Sequence, residues 1–354
     1  LIKNQSINYQ DYCVAILAGG KGTRIQSLFP DIPKPLVEIA GKQVLLRQID
    51  FFLEYGVKKI IVLAGFRGEV IKERLYKKYN NLIDVVIEET PLGTSGCLSL
   101  IKKSINTKYL IFVSGDLVFD IDLERFCSFH QGKKAQCTLT VHSNFHPMDA
   151  DLISFDEITL KVIALLVRPH PQGSYYLNNV NAAISILNVE LLSYIEENNP
   201  KNFERDFIPL LVKNKIDIYA YKSIEYIRDM GTPERFNRVS NDLSKFLPEK
   251  LKYSFKKKSI FIDMATLEKV FLENNIYINN KLLSDINKIN YSEFILTGFF
   301  YKNSIKREFI ETVLGNRNLK LDTFFNYWDD FEGELRDFIN EYNISDISFY
   351  SFNF

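Results

Sequence analysis

An apolar run, Cys13-Val14-Ala15-Ile16-Leu17, breaks directly into Ala18-Gly19-Gly20-Lys21-Gly22-Thr23-Arg24, and Pro33-Lys34-Pro35 follows shortly after. Consecutive apolar or small residues read as a buried strand. Three glycines let the next backbone segment pass close to a ligand, and successive free N–H groups in such a loop form an anion cradle. Lys21 and Arg24 put positive charge beside that cradle. Lys34, pinned between prolines, is a cation on a rigid mount. This combination points to triphosphate chemistry on a sheet whose ligands sit at the carboxyl ends of its strands. The spacing is neither G-x-x-x-x-G-K-[ST] nor G-x-G-x-x-G, so the two commonest phosphate loops are set aside.

The pattern downstream supports an α/β fold with a mixed, mostly parallel sheet. Strands are expected over 59–64, 84–88, 109–114 and 136–142. Helices are expected over 44–55, 68–78, 96–103 and 123–131. In the first helix Leu45, Ile49, Phe52 and Leu53 fall at helical spacing and Gly56 stops it. Strands alternating with helices of this length imply βαβ units. From 151 to 186 short β segments suggest an antiparallel flange beside the sheet. Helices are expected at 188–198 and 203–213, strands near 217–221 and 225–229. Thr232-Pro233-Glu234 opens a further helix, with Thr232 as N-cap and Pro233 in its first position. The division is a first domain over 1–245, a polar, basic linker over 246–257 and a second, smaller α/β domain over 258–354.

Composition excludes several classes. Basic and acidic side chains number 44 each in 354 residues, so bulk attraction to nucleic acid or an anionic membrane is not expected. No run approaches a membrane span, and the N-terminus lacks the apolar core of a signal peptide. Cys13, Cys97, Cys127 and Cys137 have neither metal-ligand nor disulfide spacing and read as small core residues of a cytoplasmic protein.

Taken together, L-A-G-G-K-G-T-R and P-K-P resemble the signature of the sugar-1-phosphate nucleotidylyltransferases. Later segments extend the resemblance over residues 13–240. Glu88-Glu89-Thr90-Pro91-Leu92-Gly93-Thr94-Ser95-Gly96 is similar to the family's E-x-x-P-L-G-T-x-G. The resemblance implies nucleotide binding by Leu17, Ala18, Gly19, Gly20, Gly22 and Thr23, and by Glu88, Pro91, Gly93 and Thr94. A carboxylate accepts from both N1–H and N2–H₂ of guanine, a donor pair that cytosine and uracil lack. Glu88 therefore favours GTP. Asp116 in Ser114-Gly115-Asp116 and Asp229 in Asp229-Met230-Gly231-Thr232-Pro233 match the family's two Mg²⁺ ligands, which makes Mg²⁺ the expected cofactor. Arg24 and Lys34 are the expected catalytic cations.

Arg168, in Val167-Arg168-Pro169, stands where the family carries E-K-P, and is expected to hold the sugar phosphate. Val167 departs from the pattern and leaves sugar specificity open. Asn181, in a strand like the family's I-N-A-G, is a candidate for the sugar hydroxyls. Phe203-Glu204-Arg205-Asp206-Phe207-Ile208-Pro209-Leu210-Leu211 resembles S-x-E-x-D-x-x-P-x-L and reads as a helix packing Phe207, Leu210 and Leu211. The expected reaction takes an NTP, GTP first, and a sugar 1-phosphate, heptose 1-phosphate first, to NDP-sugar and pyrophosphate for capsule or lipopolysaccharide synthesis. The alternatives are a mannose-1-phosphate guanylyltransferase, a cytidylyl- or uridylyltransferase for another phosphorylated small molecule, and a non-catalytic nucleotide-sugar-binding regulatory subunit.

Residues 258–354 resemble a degenerate haloacid-dehalogenase-like phosphatase of the heptose-bisphosphate type. Ser259-Ile260-Phe261-Ile262-Asp263 matches its nucleophile strand and Phe294-Ile295-Leu296-Thr297-Gly298 its second motif. Ala265 stands in place of the general acid and Thr266 in place of a glycine. No late G-D motif precedes Phe354. Without an acid the leaving alkoxide gains no proton. The second domain is therefore expected to be non-catalytic, with homo-oligomerisation as one role open to it.

Overall fold

The computed structural model describes residues 7–142, 150–156, 158–170, 179–223 and 225–245, together with the backbone of five strands between 175 and 352. Among the described residues, eighteen strands and six α-helices follow in chain order. The first strands and helices are β1 (Tyr12–Ala18), β2 (Glu38–Ile39), β3 (Lys42–Gln43), α1 (Val44–Glu54), β4 (Lys59–Ala64), α2 (Gly68–Tyr79) and β5 (Ile83–Ile87). Then come α3 (Gly93–Gly96), β6 (Tyr109–Ser114), β7 (Leu117–Asp120), α4 (Leu123–Gly132), β8 (Cys137–His142), β9 (Leu152–Phe155), β10 (Val162–Leu166) and β11 (Tyr175–Leu177). They are followed by β12 (Val180–Asn188), α5 (Ile208–Lys213), β13 (Ile218–Lys222), β14 (Tyr226–Asp229) and α6 (Pro233–Lys245). Four more strands close the chain: β15 (Lys257–Ile262), β16 (Phe294–Phe299), β17 (Leu319–Phe325) and β18 (Ile344–Phe352).

A nine-stranded sheet forms the first compact unit, ordered β10-β9-β12-β6-β1-β4-β5, with β8 beside β12 and β13 beside β8. β1 runs parallel to both β4 and β6, and β4 to β5. β12 is antiparallel to β6. The uninterrupted apolar run of β1 is explained by cover on both faces. Tyr12, Val14, Ile16 and Ala18 join one core cluster, with Leu45, Ile49 and Phe52 of α1. Cys13 and Ala15 join the other, with Phe112, Phe203 and Leu211. Each fully buried large side chain contributes about 1.5–3 kcal/mol. α1 stops where Gly56 takes φ +86° and donates to Leu53 O at 2.9 Å.

The four cysteines lie in these cores as expected. Burial pushes the thiols of Cys13, Cys97 and Cys127 up to about 12, and that of Cys137 higher still, so none is a nucleophile at neutral pH. His130 bonds Thr138 Oγ1 at 2.8 Å and Asn188 Oδ1 at 3.2 Å, and burial lowers its pKa to about 4. It is a neutral core side chain.

Several expectations are corrected. The helix expected over 96–103 is one α-turn, α3, continued by a 3₁₀ turn at Cys97–Leu100. Its start is fixed earlier, by Gly93 at φ +74°. Of the flange expected over 151–186, β9, β10 and β12 instead join the main sheet, where β12 pairs directly with β6, while β11 pairs with β18 in the second sheet. The helix expected over 188–198 is a short 3₁₀ stretch, Val189–Tyr194. The one over 203–213 opens as a π-turn, Phe203–Phe207, before α5. Pro209 has no N–H to give a regular α ladder, and Phe207 N bonds back to Asn202 O at 3.1 Å. Phe207 and Leu211 are buried as expected, but Leu210 is 37% exposed. At Thr232 the expected cap is present: its Oγ1 accepts from Arg235 N at 3.3 Å.

The second unit carries a five-stranded sheet ordered β11-β18-β15-β16-β17. Its four later strands are mutually parallel, and β11 is antiparallel to β18. β15 begins at Lys257, the last residue of the expected linker. Asp263, Ala265, Thr266 and linker residues 246–256 lie outside the described residues.

Candidate active site

Three adjacent parallel strands, β6, β1 and β4, deliver glycines to one end of the main sheet. Leu17 is in register with both Ser114 and Leu63, so Gly115, Gly19 and Gly65 emerge side by side. The backbones there approach too closely for any side chain. A Cβ at Gly115 would stand 2.6 Å from Leu17 O, and one at Gly65 would stand 2.8 Å from Gly19 O. Gly115 N donates to Leu17 O at 2.8 Å and Phe66 N to Gly19 O at 3.1 Å.

Glu88 fills the corner these glycines leave. Its Oε1 lies 2.7 Å from a Cβ built on Gly19 and 2.5 Å from one built on Gly65. Its Oε2 accepts from Leu92 N at 3.1 Å, and its own N–H donates to Ala64 O at 2.8 Å. The carboxylate is thus held beside Gly19, and the two expected nucleotide-binding segments meet there. Gly93 follows, at φ +74°, against Lys201 O. Thr94 Oγ1 is engaged by Phe203 N at 2.7 Å, so this hydroxyl braces the loop. Pro91 is exposed at the loop's start.

Charged groups gather a short distance away. The hydrogen-bonded β7–β14 pair sets Asp229 opposite Leu117, and Met230 N donates to Asp116 O at 3.2 Å. Lys34, at the start of a 3₁₀ turn, forms an ion pair with Asp116 Oδ2. Ser114 Oγ donates to Asp116 Oδ1 at 2.6 Å. Burial pushes the Asp116 carboxyl up, but Lys34 and Ser114 outweigh it and hold the group below its usual value. Asp229 receives Arg235 Nη1 on both oxygens, at 3.0 and 3.1 Å, and Gly231 N on Oδ1 at 2.9 Å. One point fixes the convergence. A Cβ at Gly231 would stand 2.8 Å from Asp229 Oδ1 and 3.4 Å from both Arg24 Nη2 and Lys34 Nζ. Arg24 itself is exposed and has no carboxylate partner among the described residues.

Arg24, Lys34, Asp116 and Asp229 are therefore brought together as the sequence suggested. Gly22 belongs with them: it takes φ +64° against the Lys34 side chain. Gly20 and Thr23 lie in the same loop, both exposed. Asn181 Nδ2 donates to Glu204 Oε1 at 3.2 Å. Arg168 belongs to the second unit, where its N–H donates to Asp151 Oδ1 at 3.1 Å.

Four participants were not read from the sequence: Gly65, Ser114, Glu204 and Arg235. A glycine directly after each of three strands, β1, β4 and β6, was the available signal for Gly65. Arg235 sits two residues after Pro233 in an otherwise recognised motif, and only the geometry reveals its bond to Asp229.

The carboxylate pair suits a hard cation. Mg²⁺ is commonly held by one or two carboxylates together with substrate phosphates. Among the described residues no group of three or more His, Cys, Asp or Glu lies together as a metal site.

The fold and this cluster define a nucleotidyl transferase. Residues 14–245 match the family model for Nucleotidyl transferase, and the chain belongs to that family. A mannose-1-phosphate guanyltransferase from Kluyveromyces lactis is 32% identical over 247 residues, 67% of each chain. One from Debaryomyces hansenii is 31% identical over 226 residues, and the match spans 61% of its length and 62% of this chain. Among solved structures, HddC from Yersinia pseudotuberculosis complexed with GMP-PN is similar with TM-score 0.56 and 27% identity, covering 66% of this chain and 99% of that one.

Proposed function

We propose that the protein transfers a guanylyl group from GTP to a sugar 1-phosphate, releasing pyrophosphate. The observation that carries this reading is the convergence of Arg24, Lys34 and Asp229 on one point at Gly231, with Asp116 paired to Lys34. The sugar-phosphate oxygen attacks the α-phosphorus in line, a new P–O bond forms, and the bond to pyrophosphate breaks. Such transfers ask the protein mainly to position reactants and offset charge. Arg24 binds the triphosphate, and Lys34 exchanges its Asp116 contact for a phosphate oxygen. Asp116 and Asp229 would hold Mg²⁺, which when bound neutralises the developing charge. Glu88 selects guanine. Arg168 and Asn181 serve the sugar phosphate and sugar hydroxyls. The proposed substrates, and four cysteines without disulfide spacing, support a cytoplasmic location.

For the acceptor, heptose 1-phosphate is the first reading, on the strength of P-L-G-T-x-G, E-R-D-F-x-P and D-M-G-T-P-E-R. Mannose 1-phosphate is the second, favoured by the relatives named above. Residues 258–354 are assigned no phosphatase activity, because Ala265 cannot act as a general acid. Pyrophosphate release by the full chain with Mg²⁺, each of four NTPs and both sugar 1-phosphates tests the proposal. Release with GTP and one of the two sugars is expected. No release with any pair would end the catalytic reading.

A further inference from the structure

α1 packs Leu45, Leu46, Ile49 and Phe52 into the core beneath the main sheet, and Gln48 is buried among them at 2% exposure. An amide on that face needs a reason, because a leucine or methionine would pack there without burying polar atoms. Both of its hydrogens go to one short piece of chain. Gln48 Nε2 donates to Ser114 O at 2.9 Å and to Leu117 O at 2.7 Å. Ser114 is the last residue of β6 and Leu117 the first of β7. The amide therefore bridges the two ends of the turn Gly115-Asp116.

The orientation of the amide follows from its partners. Carbonyls only accept, so the nitrogen must face them. Gln48 Oε1 is then left buried with no hydrogen-bond partner among the described residues. An unpaired buried acceptor opposes folding. What the side chain supplies in return is a fixed turn. Two backbone bonds also act on that turn, Gly115 N to Leu17 O at 2.8 Å and Met230 N to Asp116 O at 3.2 Å. Each holds one residue, whereas Gln48 holds both ends.

The same helix anchors the segment that carries Lys34. The 3₁₀ turn beginning at Lys34 leads through Val37 into β2, and Val44 N, at the start of α1, donates to Val37 O at 3.1 Å. Arg47, beside Gln48 in the chain, donates from Nη2 to Ile39 O at 3.0 Å. α1 thus grips the two segments whose side chains form the Lys34–Asp116 ion pair. We propose that Gln48 is a positioning residue for nucleotidyl transfer: by clamping Ser114 and Leu117 it sets where the Asp116 carboxylate stands relative to Lys34 and the reacting phosphates. Its part in the reaction rests on the proposed function; its hold on the turn does not.

The test compares Gln48→Met, Gln48→Glu and Ile49→Val in the full chain. Methionine keeps the volume and removes both donors, while glutamic acid keeps the shape and has at most one hydrogen to give. Ile49→Val trims the same buried face and leaves both hydrogen bonds in place. Initial rates are taken well below every thermal midpoint, so that the folded fraction stays near one. The expected kcat is about tenfold lower in Gln48→Met and at least about threefold lower in Gln48→Glu, with the KM for GTP within about twofold in both. Ile49→Val should lower the thermal midpoint and leave kcat unchanged. Amide hydrogen exchange gives a readout without catalysis: residues 112–118 should exchange about tenfold faster in Gln48→Met, with residues 59–64 of β4 unchanged. Should Gln48→Met not fold, Gln48→Glu carries both measurements. A lowered midpoint with kcat intact in the Gln48 variants overturns the proposal, as does an equal loss of kcat in Ile49→Val. Unchanged exchange over 112–118 overturns the hold on the turn. If the unaltered chain releases pyrophosphate from no NTP, the proposed function fails, and the exchange result still decides whether Gln48 holds the turn.

Discussion

The two halves of the candidate site are built on opposite principles. At the proposed phosphate end, side chains of opposite charge face each other: Lys34 on Asp116, Arg235 on Asp229, with Arg24 beside them. At the corner proposed to read the base, the decisive feature is missing side chains. Gly19 and Gly65 leave just the room that the Glu88 carboxylate occupies. Charge can be rearranged by rotating a side chain, so the phosphate end can exchange partners as substrate arrives. A corner made of backbone contacts cannot yield in this way. It holds its shape before the nucleotide enters, which is what discrimination between bases requires.

The largest effects are expected where charge is removed. Asp116→Ala and Asp229→Ala should each lose more than about a hundredfold in turnover, in line with deletion of a main electrostatic stabiliser. Initial rates of pyrophosphate release measure this. Near-normal turnover in either variant would break the assignment of these carboxylates to the reacting phosphates. Gly65→Ala comes next and probes the other principle. Its Cβ would meet Gly19 backbone as well as Glu88, so a side-chain rotation cannot relieve it. The KM for GTP should rise about thirtyfold, the equivalent of a typical overpacking cost, with kcat nearly unchanged. An unaltered KM would show that the corner is softer than its contacts imply.

This contrast also explains what the sequence disclosed. Arg24, Lys34, Asp116 and Asp229 are legible because each stands in a short motif, L-A-G-G-K-G-T-R, P-K-P, S-G-D or D-M-G-T-P, that resembles the family's signature. The parallel strands were legible for a different reason: β1 is apolar throughout because both faces are covered. Gly65 was not legible, since a glycine after a strand is equally consistent with a plain turn. Nor was Arg235, whose bond to Asp229 depends on how the chain turns from β14 into α6. Leu210 reads as a core position by helical spacing, but the π-turn before Pro209 rotates that face outward. Periodicity carries no information about such a change of winding.

A smaller effect separates recognition from geometry within the corner. Glu88→Gln keeps the shape of the side chain but replaces one acceptor by a donor. Guanine then meets N–H against N–H at one of its two edge positions. The preference for GTP over ATP, measured as a ratio of kcat/KM, should fall about tenfold, the cost of one mismatched charged hydrogen bond. An unchanged ratio would remove Glu88 from base selection and leave it as a brace for Leu92.

The smallest effect tests whether the phosphate end depends on how its carboxylates are held as well as on their presence. Arg235 reaches Asp229 through a single nitrogen, Nη1, which lies near both oxygens. Asp229 is further fixed by Gly231 N, so without Arg235 it keeps one anchor and loses the other. Arg235 and Asp229 are both partly exposed, and such ion pairs contribute at most about 1 kcal/mol to folding. Arg235→Ala should accordingly shift the thermal midpoint little, yet lower kcat about tenfold with the KM for GTP within about twofold, since the lost contact orients a group that acts in the transition state. Arg235→Lys supplies one ammonium in place of one nitrogen and should recover most of that loss. A fall in thermal midpoint with kcat intact would make Arg235 a structural tie between α6 and β14. Failure of lysine to rescue would mean that the planar guanidinium, and not its charge alone, sets the carboxylate's angle.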